Sequence, residues 1–119
     1  MIYVRKSEEF EREELTDLED VENVEKEVLL GDSEGVETFA MRRFTLGAEG
    51  HTPYHTHDWE HEVYVLTGKG KIRTERGEKD LSPGDAVYVP SDELHQFVSD
   101  SEGLKFLCLV PRRGEPTTS

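Results

Sequence analysis

The chain has 119 residues, a formal net charge of −13 at pH 7 and 34% apolar residues. This length fits one domain, and the low apolar content fits one small core or a core shared in an oligomer. The negative charge disfavours binding to nucleic acid phosphates or to anionic membrane surfaces. No stretch reaches the roughly 20 apolar residues of a membrane span, and no apolar core of a signal peptide is present. With the single cysteine Cys108 no intrachain disulfide can form, so we expect a soluble cytoplasmic protein.

The first part of the chain is rich in glutamate and aspartate. Between residues 7 and 27 acidic side chains outnumber large apolar ones, so this segment cannot bury much surface by itself. Residues 2–5 predict a short edge strand. We expect an acidic N-terminal arm over residues 1–24, a β-barrel over residues 25–111 and a polar tail over residues 112–119.

From residue 25 onward, short β-rich segments alternate with turn residues. Glycine, proline and aspartate mark the turns, most clearly at residues 67–70 and 83–85. The predicted strands cover residues 28–30, 39–46, 62–66, 71–75, 86–89, 95–98 and 104–110. Many short strands without a convincing helix predict an all-β sandwich or barrel, and a double-sheet jelly roll packs about eight such strands.

Four of the five histidines lie in two short runs of the sequence, HTHDWEH and DELH. Because side chains two apart on a strand point the same way, His55 and His57 share a face, and His61 joins them if the strand continues. His95 approaches from a neighbouring strand. Imidazole is the commonest protein ligand for transition metals, so these four side chains predict one metal site. His51 precedes the cluster, and we expect it beside the site or in solvent.

The two histidine runs resemble the paired motifs of the cupin superfamily. The first cupin motif has a glycine, His-x-His, an acidic ligand and a second glycine; the second has a glycine, a proline, a histidine and an asparagine. The matching positions here are Gly50, His55, His57, Gly68, Gly84, Pro90 and His95. His61 stands at the position of the acidic ligand, while Asp92 and Ser99 replace a glycine and the asparagine of the second motif. The resemblance covers about residues 36–110 and extends to small single-domain cupins with an all-histidine site.

This resemblance implies the cupin fold, a double-stranded β-helix or jelly-roll barrel. It also implies one divalent transition metal ion held by His55, His57, His61 and His95. Manganese or iron is favoured by the resemblance, and zinc, nickel and copper also accept imidazole. Because none of these ligands is charged, the ion keeps its full charge and attracts a small anionic or oxygen-donor molecule. A homodimer, with the N-terminal arm across the partner sheet, is a further implication of the resemblance.

Four other residues are expected around the cavity. Arg42 shares a strand face with Phe44, which we expect inside the barrel. In that orientation Arg42 is a candidate catalytic residue that holds a substrate carboxylate or enolate; on the outer face it would pair with surface acids. Phe44, Trp59 and Phe97 are expected to form the pocket wall. Cys108 lies in an apolar run and is expected to be a small core residue.

The leading hypothesis for function is a mononuclear metal enzyme of the dioxygenase-like, oxidoreductase kind. Its substrate would be a small oxygen-rich compound such as an enediol, a diketone or a phenolic acid. A metal-assisted isomerase or decarboxylase is a related alternative. A metal-dependent module that binds or senses a small molecule belongs to a second class, and a storage or structural cupin to a third, which the complete ligand set disfavours. The barrel does not choose among them, because one fold hosts many chemistries.

Overall fold

The structure, a computed structural model, describes residues 2–6, 13–15 and 20–115. These ranges contain β-strands and two short 3₁₀ turns, Asp32–Glu34 and Arg112–Gly114. The strands are β1 (Glu13–Glu14), β2 (Glu22–Leu30), β3 (Phe39–His51), β4 (His61–Thr74), β5 (Gly77–Leu81), β6 (Ala86–Val89) and β7 (His95–Pro111). The prediction of an all-β protein is confirmed.

The strands form an antiparallel sheet in the order β1-β2-β3-β7-β4-β5, and β6 pairs with β4. The long strands β3, β7 and β4 make its centre. Twist and bulges in such a sheet let it curl around one core, and the result is the jelly-roll barrel that was predicted. His61 begins β4 and His95 begins β7, and because these strands are antiparallel the two residues lie at opposite ends of their ladder. Curling of the sheet brings their rings together, with 5.3 Å between centroids.

Alternate residues of the central strands build the core. In β7 the side chains of Leu104, Phe106, Cys108 and Val110 are buried, while the residues between them are partly exposed. The Phe106 ring stacks on that of Phe44 from β3 with 5.5 Å between centroids. Burial of each large apolar side chain contributes about 1.5–3 kcal/mol, so this alternation holds the barrel closed.

The turn predicted at residues 67–70 is wrong, because β4 continues through it as one strand. Gly68 has a φ of 85°, and a Cβ there would lie 2.1 Å from the carbonyl oxygen of Gly103. A Cβ on Gly70 would lie 2.2 Å from the carbonyl oxygen of Val98. The glycines therefore let β7 approach closely at bulges in the ladder, rather than reversing the chain.

Other strand boundaries also differ from the predictions. The segments 95–98 and 104–110 are joined in β7, across Gly103 with its φ of 83°. β2 begins six residues before the predicted 28–30, and β3 runs beyond 39–46 to His51. Residues 2–5 do not form the predicted edge strand. The segment 86–89 has the predicted bounds, because Pro83, Gly84 and Pro90 flank it.

The division into arm, barrel and tail stays a prediction, and residues 1, 7–12, 16–19 and 116–119 lie outside the described residues. β1 adds to the sheet from within the expected arm, and Glu115 of the expected tail is buried. No helix in the described part of the chain is long and apolar enough to cross a membrane.

Candidate metal centre

Backbone hydrogen bonds position three of the four clustered histidines. His61 begins β4 and His95 begins β7, while His55 and His57 lie in the segment between β3 and β4. His55 and His95 exchange both backbone hydrogen bonds, with N···O distances of 3.2 and 3.1 Å. The backbone N–H of Asp92 donates to the carbonyl of His57 at 2.8 Å, and Asp92 has the positive φ of 65° that suits the glycine of the cupin motif. The loop carrying two histidines is thus tied to the start of β7.

The imidazole rings converge. One ligand nitrogen each from His55, His57 and His95 lies within 4.8 Å of the others. The ring centroids of these residues are 4.9 to 5.3 Å apart. His61 joins the group through His57, with 2.7 Å between their Nε2 atoms. The mutually close group thus contains His55, His57 and His95, and His61 borders it through His57, while all four side chains line one cavity.

Hydrogen bonds to backbone carbonyls determine which ring nitrogen of His57 and of His95 is free to bind a metal ion. Nδ1 of His57 lies 3.2 Å from the carbonyl oxygen of Trp59, and Nδ1 of His95 lies 2.8 Å from that of Glu93. A carbonyl only accepts, so both Nδ1 atoms carry the proton, and both Nε2 atoms keep a lone pair. Metal-binding histidines are oriented by such contacts, so this donor set fits a transition metal ion.

His61 has a partner for its proton on either nitrogen. Because Nε2 of His57 keeps its lone pair, the 2.7 Å contact places the His61 proton on Nε2. Nδ1 of His61 then accepts from Arg42 Nη2 at 3.4 Å or from the Cys108 thiol at 3.0 Å. With the proton on Nδ1 instead, Cys108 Sγ is the acceptor, and Nε2 becomes free to bind a metal ion. The sequence had suggested only a packing role for Cys108.

All four imidazoles are held neutral, which is the form that binds metal. Burial lowers the pKa of His55 to about 4, with further lowering by His95 and His57. Burial, reinforced by the Arg42 charge, lowers the pKa of His61 to about 2. Burial also lowers the pKa of His57 and of His95. Protons therefore compete weakly for these nitrogens at neutral pH.

The four rings face a cavity of about 180 Å³. Phe44, Trp59 and Phe97, the residues expected in its wall, line it together with Phe106. Trp59 stacks on the ring of His57 with 4.5 Å between centroids. No aspartate or glutamate of the described residues is among the lining side chains. The walls of the cavity are therefore largely apolar and aromatic, and the charged side chains that line it are cations.

Arg42 and Lys26 supply that charge. Arg42 is buried on β3 with its guanidinium toward the cavity, whereas the neighbouring Arg43 forms a two-pronged ion pair with Glu27. Lys26 on β2 also lines the cavity, and Glu115 pairs with both Lys26 and Arg42.

Sequence reasoning missed Lys26 and Glu115. Lys26 has the strand parity of the buried Val24, so a strand begun at Glu22 would have placed it inside. Glu115 carried no signal, because it follows the last strand in a polar segment. His51 lies outside the cluster, beside Gln96 with 3.2 Å between His51 Nδ1 and Gln96 Nε2.

Fold and sequence together define the class of protein. The chain belongs to the cupin domain family, whose sequence pattern matches residues 42–110. The matched range contains all four clustered histidines: His55, His57 and His61 in the first motif and His95 in the second.

Two solved structures are similar to most of this chain, and one curated protein is similar to part of it. The polyketide cyclase RemF from Streptomyces resistomycificus has a TM-score of 0.87 and 27% identity, covering 94% of this chain and 80% of that one. A cupin-2 domain protein from Rhodospirillum rubrum has a TM-score of 0.80 and 26% identity, covering 93% of this chain and 75% of that one. The 1-methylthio-D-xylulose 5-phosphate methylsulfurylase of Rhodospirillum rubrum is 35% identical over 74 residues, covering 61% of this chain and 47% of the relative. The chain thus spans about half the length of that curated relative.

Proposed function

We propose that the protein is a metal-dependent cupin enzyme that acts on a small, anionic, oxygen-rich organic molecule. His55, His57, His61 and His95 would hold one divalent transition metal ion. The observation that carries the proposal is the convergence of these imidazoles on a cavity that Arg42 and Lys26 also line. Neutral donors leave the charge of the ion uncompensated, and two cations add to it, so the cavity attracts an anion.

The bound ion would act as a Lewis acid that polarises a coordinated substrate oxygen. The side chains around the cavity would bind and enclose the substrate. Arg42 would hold a carboxylate or enolate oxygen of the substrate through its guanidinium, the catalytic role expected from the sequence. Phe44, Phe97 and Trp59 would exclude water and confine the carbon skeleton, which strengthens the electrostatic contacts inside. When Nε2 of His61 binds the ion, its proton would lie on Nδ1, where Cys108 Sγ would accept it.

The named activities of the relatives support an oxygen-rich substrate. One acts on a polyketide and another on a xylulose phosphate. A compound of either kind forms an enolate or enediolate, the species that a Lewis acid and a guanidinium stabilise together. Oxidation of an enediol by dioxygen, isomerisation of a ketose and decarboxylation of a β-keto acid would each pass through such an anion. Manganese or iron, a homodimer and a cytoplasmic location stay predictions from the sequence.

A substrate screen tests the proposal. Protein loaded with manganese, iron, nickel or zinc is incubated with enediols, diketones, phenolic acids and ketose phosphates, with and without air. We expect turnover of at least one class by the loaded protein, little by His95→Ala, and full turnover by His51→Ala, which changes a histidine outside the cluster. A dioxygenase consumes oxygen, whereas an isomerase or decarboxylase works equally without air. Binding without turnover of any class would contradict an enzymatic role and indicate a binding module.

A further inference from the structure

A buried cluster of ions closes one side of the metal cavity. Nζ of Lys26 lies 3.0 and 3.2 Å from the two carboxylate oxygens of Glu115, and Nη1 of Arg42 lies 3.3 Å from one of them. The side chains of Lys26 and Arg42 are each 9% exposed, and that of Glu115 is 4% exposed. Glu115 therefore neutralises one of two cations in a place that water hardly reaches.

The cluster keeps an excess positive charge toward the cavity. Lys26 and Arg42 line it, whereas Glu115 is not among the lining residues. Among the residues that the structure describes, the other carboxylate paired with Lys26 is that of Glu13, 4.0 Å away and 46% exposed, so solvent screens it. The histidines facing the cluster are neutral. A buried charge without full compensation is costly, and a bound anion would remove that cost.

Donors also remain for such an anion. Nε of Arg42 is buried, and no acceptor among the described residues lies within hydrogen-bonding distance of it. An ammonium group has three N–H donors, and the two carboxylate oxygens of Glu115 use two of those of Lys26. If the cluster only anchored Glu115, one cation would be enough. Burying a second cation without a carboxylate of its own would then cost free energy with no benefit.

We propose that Lys26 and Arg42 form a subsite for an oxyanion group of the substrate, a carboxylate or a phosphate ester, and that Glu115 is a positioning residue. Glu115 holds both cations in place and sets the net charge of the subsite. The inference rests on the proposed function for the identification of the ligand as a substrate. Anion binding at the subsite itself does not need the metal ion.

Calorimetric titration of metal-free protein with benzoate and with inorganic phosphate tests the subsite. Benzoate combines a carboxylate with a ring that matches the aromatic walls, and phosphate represents the ester. We expect Lys26→Met to weaken binding by about 10- to 100-fold, since a hydrogen bond to a charged group is lost. Lys26→Arg keeps the charge and should retain binding. Glu115→Gln keeps an oxygen that accepts from Lys26 and Arg42 but removes the negative charge, so it should strengthen anion binding.

Opposite effects of the Lys26 and Glu115 substitutions distinguish an anion subsite from a purely structural ion pair. If the ion pair were purely structural, loss of either partner would not strengthen anion binding. Glu13→Gln changes the exposed carboxylate near Lys26, and Lys71→Met removes an exposed lysine elsewhere on the barrel; both should bind like the wild type. Binding of benzoate alone identifies a carboxylate, and binding of phosphate alone identifies a phosphate ester. Thermal unfolding checks each variant, and Lys26→Gln, which keeps a donor for Glu115, replaces Lys26→Met if the latter does not fold.

Three results would overturn the subsite: neither anion binds the wild type, Lys26→Met binds as tightly as Lys26→Arg, or Glu115→Gln weakens binding like Lys26→Met. Elemental analysis separates this outcome from a failure of the proposed function. Protein that binds one metal ion per chain but no anion would refute the subsite alone. Protein that binds the anions through Lys26 but takes up no metal would refute the metal-dependent function alone.

Discussion

Ser99 is predicted to hold the bulge that leads into the histidine segment. Its hydroxyl donates to the carbonyl of Gly47 and accepts from the backbone N–H of Gly50 at 3.1 Å. The ladder between β3 and β7 shifts register between Leu46 and His51, so these backbone groups lack strand partners there. Ser99 is 2% exposed, and water cannot replace its hydroxyl without rearrangement. At this position of the second motif, the serine hydroxyl thus satisfies two backbone groups of the bulge.

Ser99→Ala removes one donor and one acceptor from this buried bulge. An unsatisfied buried polar group costs about 1–3 kcal/mol, so we expect the free energy of unfolding to fall by about that amount. Unfolding entropy is about 2.1 cal/mol/K per residue, or roughly 0.25 kcal/mol/K for this chain, so the melting temperature should fall by about 4–12 °C. Differential scanning calorimetry of metal-free protein measures both quantities.

Ser101→Ala is the matched control, because Ser101 is an exposed serine two residues further along β7. It should melt within about 1 °C of the wild type, as exposed substitutions have small effects. If Ser99→Ala melts with Ser101→Ala, the hydroxyl does not stabilise the bulge, and our explanation of this motif position is wrong.

Three further predictions follow from single residues or groups. Because the histidine pKa values are lowered in the folded state, to about 4 at His55 and about 2 at His61, the unfolded chain binds more protons below pH 6.5. The urea midpoint of metal-free protein should therefore fall as the pH drops from 6.5 to 4; a constant midpoint would contradict neutral buried imidazoles. Burial raises the pKa of the Cys108 thiol, so iodoacetamide at pH 7.5 should alkylate it slowly in folded protein and readily in urea, and equal rates would refute its burial. Asp92→Gly should leave the melting temperature near that of the wild type, whereas Asp92→Val should lower it, because a β-branched residue rarely adopts a φ of 65°; equal melting would refute this backbone geometry.

The fold was predictable from local patterns that the structure retains. Alternation along β7 and the turn residues around β6 predicted strands where strands occur. The errors arose at Gly68, Gly70 and Gly103, where glycine permits close approach of two strands instead of a turn. A single sequence does not distinguish these uses, because each close contact is made with a strand residue far away in the chain: Gly103 for Gly68, Val98 for Gly70 and Leu46 for Gly103.

The histidine cluster was predictable because strand parity and motif spacing are local properties. Arg42 had two open orientations, and the structure places it inward, with Glu115 and Cys108 as partners. Lys26 and Glu115 were not predicted, because their pairing joins residues far apart in the chain. Long-range ion pairs depend on how the barrel closes, which composition and periodicity do not reveal.

X-ray absorption spectroscopy of zinc-loaded protein tests most directly whether four imidazoles surround one metal ion. We expect one zinc ion per chain with four imidazole nitrogens at about 2.0–2.1 Å. In His61→Ala the spectrum should show three. Loss of all zinc on dialysis, or a first shell of water oxygen in place of imidazole, would show that the four histidines do not form a metal site.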